Sequence, residues 1–473
     1  MLEEIFEKAN NLALPSLQDI ALTEITISLC KQRDMKNLIR NCNYHKMIYK
    51  QFPFEVHKEW KSVHYRAVEK LSQFCIPSSL KTVLLSRLWQ ISLEILRWID
   101  YHTENLYLHI EVPKDFCWTS HGQIDRRKTA EMIIKDEYVC IKKRFKLACI
   151  YCLEDDIHAL WENMRRTTKK CFYNPKDPRQ IDQHGLVLYW AYHIQETPID
   201  SIMYGDFDEL TEDYAFFYAA TEGNRIATEY FFKKLNEEQK KESLIRCVKA
   251  IDCGTLPSDE EFTNFFEQDS NDVIYFLLSN MHQEDQLKAF ENCSLTVLKS
   301  FLSWPRQKVF ADMVDAMWNY VPKKDFGIIL LEILSKDLNG YRDYNYIDLF
   351  IDFWENSPKS YKKFVNTDTS FGGILLVLLL RFKIPFVMGK KSFRRKVMFI
   401  NSLLNQSSNN PIADDCERWE FLRYLIQKRI STKHSMDHFE HQFFTSCTQA
   451  YNARKKKWDQ CFKLIHLIFN DNK

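Results

Sequence analysis

The alternation of apolar and polar positions is most regular in residues 144–164, which read RFKLACIYCLEDDIHALWENM. Small and apolar residues fill the first half of this stretch, and an acidic turn follows at residues 154–156. Beyond the turn, apolar side chains return at the spacing of one helix face, at Ile157, Leu160, Trp161 and Met164. The pattern predicts two short helices packed as an antiparallel hairpin.

Later segments repeat the second helix of this hairpin in degenerate form. An alignment on one apolar or aromatic residue per segment gives five anchor positions, Trp161, Phe232, Leu278, Trp318 and Trp354. The anchors are 71, 46, 40 and 36 residues apart. The positions four before, one before and three after each anchor share one helix face, and all are apolar except Thr228 and Ser357. We therefore expect consecutive antiparallel helix pairs from about 140 to 360, with the anchors buried at equivalent positions of the second helices.

Residues that commonly open helices mark the starts of several further elements. Ser16 precedes residues 17–30, whose apolar positions mix the helical and the alternating period, and Asp125 precedes residues 126–134. Residues 77–100 are apolar almost all round, which predicts a helix that is buried on more than one side. After three of the anchors, the residues at the expected start of the next helix are Asn236, Pro322 and Pro358.

Length and composition favour an all-α chain. The 473 residues exceed the roughly 250 to 300 at which a single core stops growing, so the chain must hold several domains or a repeat array. It has only 10 glycines and 13 prolines, whereas turn-rich β architectures need many more. We expect an N-terminal helical region at 1–140, a helical repeat array, or α-solenoid, at 141–360, and a C-terminal helical cap at 361–473.

The segment 215–235, AFFYAATEGNRIATEYFFKKL, resembles the ankyrin repeat. Ala219 and Ala220 correspond to the paired alanines of that pattern, and Gly223 with Asn224 corresponds to its glycine turn. The stretch at 144–164 has Ala148 and Cys149 in place of the alanines and no glycine in its turn. The chain is also similar to uncharacterised invertebrate helical-repeat proteins. The resemblance implies a divergent ankyrin-like α-solenoid, although no TPLH-type turn is present, the units exceed the usual 33 residues, and an extra helix such as 237–251 replaces the ankyrin finger.

Charge and targeting signals exclude several classes of function. The 65 basic and 64 acidic residues give a net charge of +1, so any contact with nucleic acid or an anionic membrane would have to be local. Residues 1–14 lack the basic region and apolar core of a secretory signal, which predicts a cytoplasmic protein, with the nucleus as the alternative. The apolar run 371–380 is about half the roughly 20 residues of a membrane span, and we interpret it as a buried helix.

The 14 cysteines are spread along the chain, and we expect them to be reduced and mostly buried. Cys149 and Cys152 form a CxxC pair that could bind zinc together with Cys140, Cys171 and His158. The favoured interpretation places the pair on the packed face of the first helix, where cysteine behaves as a small apolar residue. We therefore expect no metal and no cofactor.

The acidic turn could also be interpreted as a pair of catalytic carboxylates. Acids in the first turn of a helix are, however, expected from the helix dipole alone. The chain has no P-loop and no GxGxxG, HExxH or GxSxG motif. We therefore expect a protein without enzymatic activity.

The leading hypothesis is a monomeric scaffold that binds other proteins. Since packing uses the anchors, specificity should come from polar residues at the hairpin tips, namely Glu154, Asp155, Asp156, Glu222, Asn224 and Arg225. The alternative is a nucleic-acid-binding protein that uses a basic helix at 390–396, with the side chains Lys390, Lys391, Arg394, Arg395 and Lys396. Such a charge run is also typical of the solvated face of an amphipathic helix.

Overall fold

The computed structural model describes residues 2–11, 15–42, 58–105, 115–174, 184–196, 211–253, 267–303, 306–338 and 344–367. Helices make up 78% of the described residues. These residues contain no β-strand, and the one β-type contact among them is an isolated antiparallel bridge between Trp118 and Ile124. The predicted all-α class is confirmed.

Twenty α-helices lie in the described part of the chain. In order they are α1 Leu2–Asn11, α2 Leu17–Lys31, α3 Arg33–Arg40, α4 Lys58–Ser72, α5 Ser78–Asp100, α6 Arg126–Lys135, α7 Ile141–Ile150, α8 Glu154–Asn163, α9 Arg166–Lys169, α10 Gly185–Ile194, α11 Glu212–Thr221, α12 Arg225–Lys234, α13 Glu237–Cys253, α14 Glu267–Ser279, α15 Gln283–Asn292, α16 Ser294–Phe301, α17 Phe310–Met317, α18 Lys323–Leu338, α19 Tyr346–Asn356 and α20 Lys359–Thr367. A π-helical turn, Tyr101–Asn105, follows α5, and a 3₁₀ turn, Arg306–Val309, precedes α17.

The capping residues begin helices where the sequence predicts them. The Ser16 hydroxyl accepts a hydrogen bond from the Asp19 amide at 3.1 Å, and Asp125 accepts one from the Lys128 amide at 3.0 Å. Asn236 accepts from the Gln239 amide at 2.9 Å, and the Gln239 side chain accepts in return from the Asn236 amide at 3.1 Å, which is a capping box. These bonds satisfy amide groups that the first turn of a helix leaves unpaired.

Two compact units divide the chain, Met1–Val321 with Leu338–Asn345 and Pro322–Asp337 with Tyr346–Lys473. In the second unit the ring of Phe326 joins α18 to α19 and α20, with ring centroids 5.0 Å from Phe353 and 5.5 Å from Tyr361. The first unit holds helices α1 to α17.

A common helix junction follows each of the five anchors. The next helix begins five residues after the anchor in every case, at Arg166, Glu237, Gln283, Lys323 and Lys359. The residue three positions after the anchor, where the chain turns, is buried in all five segments: Met164, Leu235, Met281, Val321 and Ser357. The residues four before and one before each anchor are also buried in all five.

The anchors themselves are less buried than the sequence predicts. Trp161 and Leu278 are buried, whereas Phe232, Trp318 and Trp354 are half-buried. The column four residues earlier is more enclosed, since Ile157, Thr228, Ile274, Val314 and Phe350 are each at most 1% exposed. Large aromatic side chains suit the edge of a core because an indole can keep its N–H near solvent, as Trp318 does when it donates to Asp315 at 3.1 Å.

The first helix of the chain lies against helices more than 260 residues later in the sequence. The ring of Phe6 on α1 lies 5.6 Å from that of Tyr275 on α14 and 5.8 Å from that of Phe301 on α16. Lys8 pairs with Asp312 on α17 at 3.2 Å. Helix α1 therefore packs on the later helices of the first unit.

None of the described helices combines the length and the apolar character that a bilayer crossing requires. The predicted buried helix at 371–380, the basic cluster at 390–396 and the rest of the predicted C-terminal cap beyond Thr367 lie outside the described residues.

Candidate interaction surface at the hairpin turns

Two hairpins, at 141–163 and 212–234, share one geometry. Each consists of two ten-residue helices with a three-residue connection, α7 with α8 and α11 with α12. Equivalent rings pair across each hairpin, Phe145 with Trp161 at 5.2 Å and Phe216 with Phe232 at 5.9 Å.

The two connections close with the same pair of backbone hydrogen bonds. In the first, the Leu153 amide donates to Ala148 at 3.0 Å and the Cys152 amide to Cys149 at 3.2 Å. In the second, Asn224 donates to Ala219 at 2.9 Å and Gly223 to Ala220 at 3.1 Å. This is the Schellman motif, and its acceptors are the small residues that carry the ankyrin resemblance.

The motif requires a left-handed residue, and the two hairpins meet this requirement differently. Gly223 has a φ of 70°, and Cys152, at the equivalent position, has a φ of 50°. A non-glycine residue in this region costs roughly 1–2 kcal/mol. The first turn, which has Cys152 in place of a glycine, therefore has the same shape as the second turn at a higher conformational free energy.

Asn224 connects the second hairpin to the first. Its side-chain carbonyl accepts from the Ala227 amide at 3.1 Å and caps α12, while its amide nitrogen donates to the Ile150 carbonyl at 2.8 Å at the end of α7. The residue is only 7% exposed. Both hydrogen-bonding ends of this candidate binding residue thus serve contacts inside the protein.

Glu154 also joins the two hairpins. Its carboxylate accepts a hydrogen bond from the Tyr230 hydroxyl and lies 3.4 Å from the Lys234 ammonium, both on α12. The hydrogen bond from Tyr230, together with the charge of Lys234, holds the pKa of Glu154 below its usual value. The Lys234 ammonium also lies 4.7 Å from the centre of the Tyr230 ring.

Arg225 connects the second hairpin to α14. It donates to the Asp272 backbone carbonyl at 2.9 Å, pairs with Glu229 one turn along its own helix, and lies over the Phe276 ring at 4.3 Å. Its guanidinium is therefore engaged on several sides.

Glu222 is partly buried in the second turn. Burial raises the pKa of its carboxyl to about 7. The side chain therefore carries only part of a negative charge near neutral pH, unlike an exposed acid at a hairpin tip.

Asp155 and Asp156 remain at the surface of the first turn. Asp155 is exposed and Asp156 is partly exposed, and both lie in the first turn of α8, where the helix dipole favours acids. Neither makes a side-chain hydrogen bond or an ion pair among the described residues. Of the six candidate residues, Glu154, Asn224 and Arg225 are engaged in contacts inside the protein, and the role of all six in binding stays a prediction.

The CxxC pair is enclosed by apolar packing. Cys149 lies on α7 with no exposed surface, and Cys152 lies in the turn and is also buried. Burial raises the pKa of the Cys152 thiol far above its ordinary value, which opposes the thiolate form that zinc requires. Within the described residues, no group of three or more His, Cys, Asp or Glu side chains could hold a metal ion.

Sequence reasoning did not identify the partners of the tip residues. Tyr230, Lys234 and Asp272 occupy unremarkable polar positions, and no local pattern distinguishes them. Helix α10 was missed as well, although its run GLVLYWAYHI is apolar enough to predict a buried helix, and residues 185–192 are buried.

Comparison with known proteins gives no family for the chain: no protein-family model matches it, and no curated protein is significantly similar to it in sequence.

Proposed function

We propose that the chain is a scaffold that binds another protein through the turn of its first hairpin, on an array of degenerate helical repeats. The observation that carries the proposal is the junction that recurs after all five anchors, with the next helix beginning five residues later each time. A unit that recurs along a chain is typical of repeat proteins, in which each unit packs mainly on its neighbours.

The matching Schellman turns of the two hairpins add support. Glu154 and Asn224 join the first hairpin to the second, and Arg225 joins the second hairpin to α14. Rigid elements that present exposed turn residues are a common basis for protein recognition.

The surface we assign to the partner is centred on Asp155 and Asp156. Two carboxylates without an internal partner favour a protein that presents Lys or Arg at the matching position, and opposite charges speed association. A polar surface of this kind fits a protein partner better than a small apolar ligand.

The test is affinity capture with the full chain from its native cells, followed by binding measurements with the purified partner. The variant Asp155→Lys/Asp156→Lys should weaken binding by about tenfold or more while the melting temperature stays near that of the wild type. Reversing an exposed acidic pair on α13, in the variant Glu238→Lys/Glu242→Lys, is the matched control because it changes the net charge by the same amount.

Equal loss of affinity in both variants would mean that net charge, and not the hairpin turn, governs binding. Unchanged affinity in the first variant would reject the assigned surface. The alternative, nucleic-acid binding through residues 390–396, stays a prediction because that segment lies outside the described residues.

A further inference from the structure

Two ten-residue segments of the first hairpin region carry an unusual concentration of positive charge. Residues 141–150 contain four basic residues and no acid, and residues 163–172 contain another four and no acid. Their combined formal charge of +8 stands against +1 for the whole chain. In sequence the segments are separated by the acidic turn at 154–156, and neither is long enough to be conspicuous alone.

The fold brings the two segments together at one end of the hairpin. The Lys142 ammonium donates to the Cys171 sulfur at 3.0 Å, and the ring of Phe145 lies 4.9 Å from that of Phe172. Lys169 lies over the Trp161 ring at 5.3 Å. Helix α9 and the residues after it therefore lie beside the first half of α7.

The cations at this end form what we call the basic face: Lys142, Lys146, Arg165, Arg166, Lys169 and Lys170. Lys142 and Lys146 are one turn apart on the same side of α7. Arg165, Arg166 and Lys170 are exposed, and none of the three has an ion pair among the described residues.

The basic face offers charge, whereas the large apolar side chains next to it are not exposed. Its large apolar neighbours, Phe145, Trp161 and Phe172, are buried in the hairpin core. An acidic peptide usually needs apolar pockets for its anchoring side chains, whereas a sugar-phosphate backbone is bound by charge and hydrogen bonds alone. The exposed Thr167, between the cations, adds a hydroxyl that can donate to phosphate.

An exposed aromatic residue lies just before α7, the helix that carries Lys142 and Lys146. Tyr138 is 101% exposed, and it lies four residues before Lys142, in the turn that leads into α7. Bases of a single strand stack on such rings, and base pairs in a duplex are less available for this contact.

We infer that the basic face binds the backbone of single-stranded nucleic acid without sequence preference. This site is distinct from Asp155 and Asp156 at the opposite end of the hairpin, so it would exist whether or not the protein-binding proposal holds. Six cations predict that the logarithm of the binding constant falls with the logarithm of salt concentration with a slope of about −4.

The test measures binding of the full chain to a fluorescent single-stranded oligo(U) over a range of salt. The variant Arg165→Glu/Arg166→Glu/Lys170→Glu removes half of the face, so the slope should become shallower by about 2 units and affinity at about 0.1 M salt should fall by about 100-fold. The matched control Lys233→Glu/Lys241→Glu/Lys249→Glu, on exposed positions of α12 and α13, has the same net charge and should bind like the wild type.

A neutral variant, Arg165→Gln/Arg166→Gln/Lys170→Gln, keeps the test valid if the charge-reversed protein does not fold, and it should show the same change in slope. Equal loss in the control variant, no loss in either face variant, or no binding by the wild type would overturn the inference. A poly-glutamate peptide of equal charge that binds as tightly as oligo(U) would also overturn it, in favour of an acidic protein segment.

Discussion

At the scale of single residues, Asn224 combines a local helix cap with a long-range contact. One side chain caps α12 and also satisfies the last carbonyl of α7, which lies 74 residues earlier in the chain. Carbonyls at helix ends have no partner within their helix, and a buried one that loses its donor costs about 1–3 kcal/mol. The carbonyl of Ile150, which ends α7, thus receives its hydrogen bond from the second hairpin.

Asn224→Asp isolates the second of these contacts. The introduced carboxylate can still cap α12, but it cannot donate to Ile150, and it would be buried beside a carbonyl, so the free energy of unfolding should fall by about 2–3 kcal/mol at pH 7. Burial favours the protonated carboxyl, which can donate, so the loss should shrink as pH falls towards 5. Chemical denaturation measures both values.

The control for this variant is Asn236→Asp, at an exposed cap of α13 whose side chain bridges to no other element in the described part of the chain. It should change the stability by only a few tenths of a kcal/mol at either pH. A similar loss in both variants would mean that the contact with Ile150 contributes nothing beyond capping.

Two neighbouring phenylalanines of α12 differ in burial, and their replacement tests that difference. Phe231 has no exposed surface, whereas Phe232 is half-buried. Phe231→Ala should lower the free energy of unfolding by about 3–5 kcal/mol, and Phe232→Ala by roughly half as much. Equal losses of stability in urea denaturation would mean that the Phe231 and Phe232 side chains are equally buried.

At the scale of elements, the second hairpin turn contains a pH-dependent contribution to stability. Folding raises the pKa of Glu222 from 4.5 to about 7, so between these values the folded protein binds more protons than the unfolded chain. The contribution of Glu222 is therefore largest below about pH 4.5 and is lost as pH rises through 7.

Glu222→Gln removes this dependence. Relative to the wild type, the variant should gain stability between pH 5 and pH 7.5, by at most about 3 kcal/mol. Urea denaturation at the two pH values gives the difference, and Glu238→Gln on the exposed side of α13 is the control. If the free energies of unfolding of the wild type and the variant differ by the same amount at both pH values, the Glu222 carboxyl is not enclosed.

Much of the local structure is predictable from the sequence, because caps and apolar spacing act within a few residues. Ser16, Asp125 and Asn236 begin helices as predicted, and the five aligned segments share one junction. The contacts of Asn224 with Ile150 and of Lys142 with Cys171 join residues 74 and 29 positions apart, and no local pattern encodes them. The left-handed backbone conformation of Cys152 is equally unpredictable from the sequence, because the hairpin around it imposes that conformation.

At the scale of the whole molecule, long-range contacts act between the beginning and the later part of the first unit. Phe6 and Lys8 on α1 contact α14, α16 and α17, so the first helix covers apolar surface of helices in the proposed array. The first hairpin has an exposed acid, Asp155, at its turn and exposed cations, Arg165, Arg166 and Lys170, at its other end.

Hydrogen exchange with and without the captured partner shows most directly whether a partner protein binds the turn of the first hairpin. We predict that the partner slows exchange of the amides in residues 151–158 and leaves α13 and α5 unchanged, and that Asp155→Lys/Asp156→Lys abolishes this protection. Protection confined to other helices, with residues 151–158 exchanging at the same rate in the complex, would rule out the turn as the binding site.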